Sequence, residues 1–511
     1  MKELMIALQP GEDGAGGRRL PLYEQIYGAI RREIEAGGIA CGEKLPSTRL
    51  LASNLGVSRF TVDLAYGQLV SEGYIQARAG SGFFVCEVSE LPMGIHASQS
   101  PAEPVEEAVQ AYIDFSPFAV DGTHFPLSLW KKRSREALDQ TEELLTAGDA
   151  AGLLRLRAML AGYLYRARGV RCVPEQVFIG AGNEYLLLLL AQLLEKPDVA
   201  MESPTYVQAC EVLRHAGARV SPVPMDAEGL CLPLPDGCPA NVVYVMPSHQ
   251  FPVGTVMPLK RRQALLDWAA QGGRYIIEDD HDSEFRYVGR PIPSLQGRDM
   301  NGRVIYLGTF SKSISPALRV SYMVLPLHLL KRFRERLGFY SPTVSTWQQQ
   351  LLCRFMETGD FERHLNRMRR IYRAKHDMLL RELKKRPWVR MIRGENAGLH
   401  LVVTAASTLS EEALAAAALE KNVRLCGLKR YRIPPVAPEE AQGTCGAPED
   451  SPGARERRGA SEHLAREKGG MTESDGTSEN PGCVSLVLGF GGLSEAEIME
   501  GLAVLDGLLG G

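Results

Sequence analysis

Lys312 sits in "GTFSKSISPALR" (308–319), among Thr309, Ser311 and Ser313 and seven positions before Arg319. A lysine amine attacks carbonyl carbon once it loses its proton, and hydroxyls beside a guanidinium make a natural grip for an anion. Upstream, "FIGAGNEYLLLLL" reads as a strand, a turn of small residues and a helix start. There the backbone N–H groups of Ala181, Gly182 and Asn183 and the positive helix end suit a phosphate. "ESPTY" puts the Tyr206 ring just after the short strand "DVAME". "YIIEDDHDSEF" carries Asp279 and Asp280 at the carboxyl end of an apolar strand, where α/β sheets hold their ligands. Alone, such a lysine reads equally well as a solvated surface residue; its company points to chemistry. Pyridoxal phosphate asks for all of these together: a lysine for the Schiff base, a carboxylate for the pyridine nitrogen, an aromatic face and a phosphate cup.

Those residues need a scaffold, and the chain has length for several domains at 511 residues, 45% of them hydrophobic. Short β-branched runs ("QVFIG", "NVVYVMP", "RYIIEDD", "RVIYLGT", "GLHLVVT") alternate with longer helical patterns from 112 to 511. That alternation predicts an α/β domain with a mostly parallel central sheet. Within it, 437–481 holds no aromatic residue and reads as a disordered insert before the closing strand and helix. Residues 87–111, rich in Pro, Ser and Glu, read as a linker.

The formal net charge of −3 confines any nucleic-acid binding to a local patch. Ten cysteines without CxxC pairs or clusters with histidine read as reduced thiols, with neither disulfides nor a metal site. The longest apolar run, "YLLLLLAQLL", is half a bilayer span, and the N-terminus has no signal-like core. A cytoplasmic protein without membrane contact is the expectation.

Residues 18–86 form a separate pattern. Leu22, Ile26, Ile30 and Ile34 recur every fourth residue before Gly37-Gly38, as in an amphipathic helix. Two short helices follow, turned at Gly56, with Ser47 and Ser58 placed to cap them. The second would expose Arg59, Thr61 and Asp63 and bury Val62, Ala65 and Leu69. "YIQARAGSGFFV" then reads as a hairpin turning over Ala79–Gly82. Helix–turn–helix plus hairpin makes a winged helix-turn-helix, a major-groove reader. Its charge is modest, with eight Arg and Lys against six Asp and Glu between 18 and 85.

"KLPSTRLLASNLGVSRFTVDLAYGQLVSEGYIQARAGSGFFV" closely resembles the GntR family of bacterial regulators. The resemblance implies DNA contacts from Ser47, Arg49, Ser58, Arg59, Thr61, Arg78 and Gly80. Residues 112–511 resemble a fold-type I, class I aminotransferase. A GntR-type module joined to such a domain resembles the MocR/GabR subfamily, as do "MPSHQFPVG" and "DFERHLNRMRRIYRAKHDMLLREL". This implies pyridoxal phosphate on Lys312, Asp279 at the pyridine nitrogen (Asp280 as the other choice) and Tyr206 stacked on the ring. Ala181, Gly182 and Asn183, with Thr309, Ser311 and Arg319, would hold the phosphate. His249 and Gln250 would lie near the phenolic oxygen.

Two departures stand out. His281 replaces the family tyrosine in "EDDYDSEF", and Val487 stands where class I enzymes carry a carboxylate-binding arginine. Arg430 in "GLKRYR" offers a substitute guanidinium, or is simply one of a surface basic cluster. The implied function is a transcription regulator, a head-to-tail homodimer on operator DNA that senses an amino acid or amine by aldimine exchange. The alternative is a working aminotransferase with an accessory DNA-binding module.

Overall fold

The computed structural model describes residues 20–87, 112–139, 144–146, 148–289, 292–434 and 482–510. The insert expected at 437–481 and all but the first residue of the 87–111 linker lie outside them. The chain divides into two compact units, Met1–Val109 and Gln110–Gly511.

In the first unit, α1 (Leu22–Glu35) buries Ile26, Ile30 and Ile34. Leu22 leaves the expected apolar face and is exposed, because the first helical turn extends past the core. α2 (Thr48–Leu55) and α3 (Arg59–Ser71) are joined through Gly56, whose φ of 65° is left-handed and favours a residue without a Cβ. Ser47 Oγ accepts the Leu50 N–H and Ser58 Oγ the Thr61 N–H, so both serines cap as the pattern predicts. α3 buries Val62, Ala65 and Leu69, together with Tyr66. β1 (Ile75–Arg78) pairs antiparallel with β2 (Gly82–Val85). Gly82 opens the return strand opposite Arg78, so the turn is Ala79–Ser81.

The second unit is built on a seven-stranded sheet. Its strands run, in spatial order, Val177–Gly180, Ser321–Val324, Val304–Thr309, Tyr275–Asp280, Val242–Val245, Asp198–Glu202 and Arg219–Val223. All neighbouring pairs are parallel except those made by Ser321–Val324, which runs against both neighbours. Buried apolar runs such as "VVYV" and "VIYLGT" fill the central strands, as a sheet covered by helices on both faces requires. The expected α/β class is the observed one. "GLHLVVT", however, enters a second sheet: His400–Ala406 lies antiparallel between Val389–Arg393 and Cys483–Gly489. A β-branched run carries no record of its direction, so the pattern did not separate the two sheets.

The three isoleucines of α1 are fully or nearly fully buried, so truncating one should open the first unit locally. Ile30→Ala should cost about 2–5 kcal/mol of amide protection in α1–α3. Hydrogen exchange on the full chain measures this, with the central-sheet amides as internal control.

Candidate functional site

Asp279 is set by the geometry of its strand. Side chains of Tyr275–Asp280 leave alternately by the two faces. Glu278 and Asp280 therefore point away from Asp279, and each finds structural partners. Glu278 accepts the Leu295 and Gln296 N–H groups at 2.8 and 2.9 Å. Asp280 accepts Arg168 Nε at 2.6 Å and the Tyr306 hydroxyl at 2.7 Å. Asp279 faces a cavity of about 260 Å³ that Lys312, Tyr206, Asn183 and His281 also line. This separates the two aspartates that the sequence left as alternatives.

Asp279 is 3% exposed and accepts only neutral donors, Tyr244 Oη at 2.5 Å and Asn183 Nδ2 at 3.2 Å. Burial pushes its carboxyl above the ordinary carboxylate range, against the pull of His281 and Tyr244. A cationic ring N–H would supply the charge partner it lacks. Asn183 Oδ1 beside it is buried without a hydrogen-bond partner. Both observations fit a protonated pyridine at this wall.

Lys312 follows Val304–Thr309, the neighbouring parallel strand, so it emerges at the same sheet edge as Asp279. Its Nζ donates to the Pro117 carbonyl at 2.5 Å and lies 5.4 Å from the centre of the Phe118 ring. Burial pushes the ammonium down to about 8, with Asp282 opposing the shift. Thr309 Oγ1 gathers the Ser311 N–H and the Ser321 hydroxyl, forming a hydroxyl floor beside the lysine. Arg319 is left-handed, with φ 51°, after the turn Pro316–Leu318. It approaches Gly182 so closely that a Cβ there would sit 2.2 Å from Nη2. The φ of 97° at Gly182 favours a residue without a Cβ there. Gly182 caps the helix Asn183–Leu193, which begins at the cavity. The Ala181 N–H is already engaged by Thr343 Oγ1 at 3.0 Å and the Gly182 N–H by the Gly180 carbonyl at 2.9 Å, so of the three cup residues expected from the sequence only Asn183 lines the cavity.

His281 lines the cavity with its Nε2 3.4 Å from Asp282 Oδ2. Burial disfavours its charge, but Asp282 more than offsets this and moves the imidazole upward from its ordinary value. Asp282 also accepts His249 Nδ1 at 2.8 Å. Burial would raise the Asp282 carboxyl, yet the two histidines hold it well below the usual range. His249 thus stands behind Asp282, outside the cavity lining. Gln250 likewise braces the Pro204 carbonyl at 2.8 Å. His249, Asp282 and His400 bring ligating atoms within 4.8 Å of one another, a juxtaposition of distant segments that the sequence did not foreshadow. His400 Nε2 is engaged by the Pro252 carbonyl at 2.8 Å, and burial pushes its imidazole down to about 3.

Arg430 is not brought to the cavity. It is exposed on the turn Leu428–Tyr431, where the buried neighbour is Tyr431, packed 5.0 Å from Phe251. Val487 is fully buried, paired with Val402 in the second sheet. Residues the sequence reading missed include Asp282, Phe118, Tyr244 and Glu184. Only Asp282, two residues past Asp280 on the acidic run, carried a local signal.

In the first unit, Ser47, Arg49, Ser58, Arg59, Arg78 and Gly80 are exposed and Thr61 is half-buried. Arg59 Nε lies 3.4 Å from Asp63 on α3. The Arg78 guanidinium lies over the Phe84 ring of the wing at 4.6 Å.

A parallel sheet with lysine, aspartate and an anion cup at its carboxyl edge, in a chain that also carries a winged helix-turn-helix, defines a two-part class of protein. Residues 116–438 match the family described as aminotransferase class I and II, and 22–85 match bacterial regulatory proteins of the gntR family. The chain is 42% identical to the HTH-type transcriptional regulator YdeL of Bacillus subtilis, over 80% of this chain and 89% of that one. It is 34% identical to the probable rhizopine catabolism regulatory protein MocR of Rhizobium meliloti, over 81% and 88%. The structure of LysN, the α-aminoadipate aminotransferase of Thermus thermophilus complexed with N-(5'-phosphopyridoxyl)-L-leucine, aligns with a TM-score of 0.60. Identity to it is 26%, covering 81% of this chain and 97% of that one. The chain belongs to the MocR/GabR subfamily of GntR-type regulators, with a class I aminotransferase domain. Among the described residues, no helix is long and apolar enough to cross a membrane.

Because only the neutral amine is nucleophilic, modification of Lys312 by an amine-reactive reagent should rise with pH through about 8, against 10.5 for an ordinary lysine. Asp282→Asn removes an upward influence and should move that midpoint lower. Mass spectrometry of the modified peptide across a pH series measures both shifts; a Lys312 midpoint near the ordinary value would contradict the electrostatics.

Proposed function

We propose that the chain is a cytoplasmic transcription regulator that binds operator DNA and holds pyridoxal phosphate on Lys312 to sense an amine-bearing ligand. The observation that carries this reading is Lys312 and a buried, charge-seeking Asp279 in one cavity, on a chain with a GntR-type module. When bound, pyridoxal phosphate supplies an electrophilic carbon for amines and an electron-withdrawing ring. Asp279 would accept the ring N–H, with Tyr244 and Asn183 fixing the carboxylate. Tyr206 would offer the ring an aromatic neighbour. Thr309, Ser311, Arg319 and the start of the Asn183–Leu193 helix would hold the phosphate. His281, its charge supported by Asp282, would donate toward the phenolic oxygen in place of the family tyrosine. Lys312, pushed by burial down to about 8, offers a far larger neutral-amine fraction near neutral pH than an ordinary lysine does.

A ligand that favours one arrangement of the large domain over another shifts the population of DNA-binding states; equal affinity for both shifts nothing. The small positive balance of residues 18–85 supports few phosphate contacts, which favours two modules per operator and a head-to-tail homodimer. Efficient transamination is the second reading, supported by the same Lys312 and Asp279. Against it stand the buried Val487 and the outward Arg430, which leave a substrate carboxylate without either expected guanidinium.

Borohydride reduction in the presence of pyridoxal phosphate should fix the cofactor to the peptide containing Lys312, and Lys312→Ala should abolish the adduct. Trapping that persists in the variant would overturn the cofactor assignment. In footprinting of the region upstream of the protein's own gene, Arg59→Ala should weaken protection about tenfold or more. Undiminished protection would remove α3 as the reading helix. Steady keto-acid release at ordinary enzyme rates would replace sensing by turnover.

A further inference from the structure

The anion end of the cavity contains an acid that its proposed role does not call for. Arg319 Nη2 lies 2.6 Å from Glu184 Oε2, and the Tyr206 hydroxyl donates to Glu184 Oε1 at 3.1 Å. Glu184 also meets its own backbone N–H in the first turn of the Asn183–Leu193 helix, where anions are favoured. Guanidinium, helix start and tyrosine hydroxyl thus grip a carboxylate of the chain itself. The guanidinium and the helix start are donors that a phosphate monoester would use. The Glu184 and Arg319 side chains are 34% and 51% exposed, so the acid can turn outward to water without breaking a core. The other lining cations, Lys312 and His281, stand with Asp282 and not with Arg319.

We propose that Glu184 is a specificity-determining residue that competes with the phosphate monoester of the cofactor for Arg319 and the helix N-terminus. The cavity then exchanges pyridoxal phosphate with the surrounding pool, and its occupancy follows concentration. This rests on the reading that the cavity holds pyridoxal phosphate.

Glu184→Gln keeps the shape and an acceptor for the Tyr206 hydroxyl while removing the charge. The full-length protein and the variant are each titrated with pyridoxal phosphate and, separately, with pyridoxal, which has the same aldehyde and ring but no phosphate. Bound ligand is followed by its absorbance. Relieving one like-charge contact at this half-exposed site should tighten pyridoxal phosphate binding by roughly tenfold. Pyridoxal affinity should stay unchanged, which also reports an intact cavity.

Unchanged or weaker pyridoxal phosphate binding in the variant would overturn the proposal, because Glu184 would then be orienting Arg319 for the phosphate. An equal gain for pyridoxal would overturn it too, since the effect would not involve the phosphate. Failure of the parent protein to bind either compound would instead overturn the reading of the cavity as a pyridoxal phosphate site, and the proposal with it.

Discussion

In an extended strand neighbouring side chains leave by opposite faces, and at the end of Tyr275–Asp280 this separates two adjacent carboxylates into two roles. Asp280 turns into the protein and is neutralised by Arg168, a buried pair whose partners would each be costly to leave alone. Asp279 turns to the cavity, where only neutral donors meet it. No cation hydrogen-bonds it, and beyond the pull of His281 the cavity wall favours a further positive charge. Moving the register by one residue would turn Asp279 inward and Asp280 to the cavity.

The second anchor comes from the next strand over. Because Val304–Thr309 runs parallel to Tyr275–Asp280, its end delivers Lys312 to the same edge, and the turn that follows returns Arg319 to the mouth. Arg319 at φ 51° and Gly182 at φ 97° both have positive-φ backbone where the guanidinium comes close to the start of the Asn183–Leu193 helix. Amine and guanidinium on the turn after one strand and carboxylate at the end of the next thus line one cavity, an arrangement suited to a planar ligand with three polar corners. The acid at Glu184 sits at the guanidinium corner alone, which is why its influence is confined to whatever anion the ligand carries.

Much of this was legible in the chain. The alternation of β-branched runs and helical patterns was enough for the α/β class, and the capping serines and Ile26, Ile30 and Ile34 behave as their spacing requires. Lys312, Asp279, Tyr206, Asn183, Thr309, Ser311, Arg319 and His281 do meet in one cavity. What the sequence concealed was orientation and long-range company. Spacing placed Asp279 and Asp280 on opposite faces but not which face held the ligand. Arg430 lies next to a tyrosine that takes the inward position, so its own side chain goes to solvent. Phe118, Tyr244 and His400 arrive from segments far apart in the chain, and nothing local marks them. His249 and Gln250 were expected at the ring and instead brace Asp282 and the Pro204 carbonyl from behind.

The central claim is that Asp279 is the charge partner of a protonated pyridine. The nitrogen-15 chemical shift of ring-labelled pyridoxal phosphate, bound to the full-length protein and followed across neutral pH, reads that proton directly. The account predicts a protonated ring nitrogen throughout in the parent protein and a shift to the unprotonated position in Asp279→Asn. An unprotonated ring nitrogen in the parent protein, or no difference between the two, would contradict it.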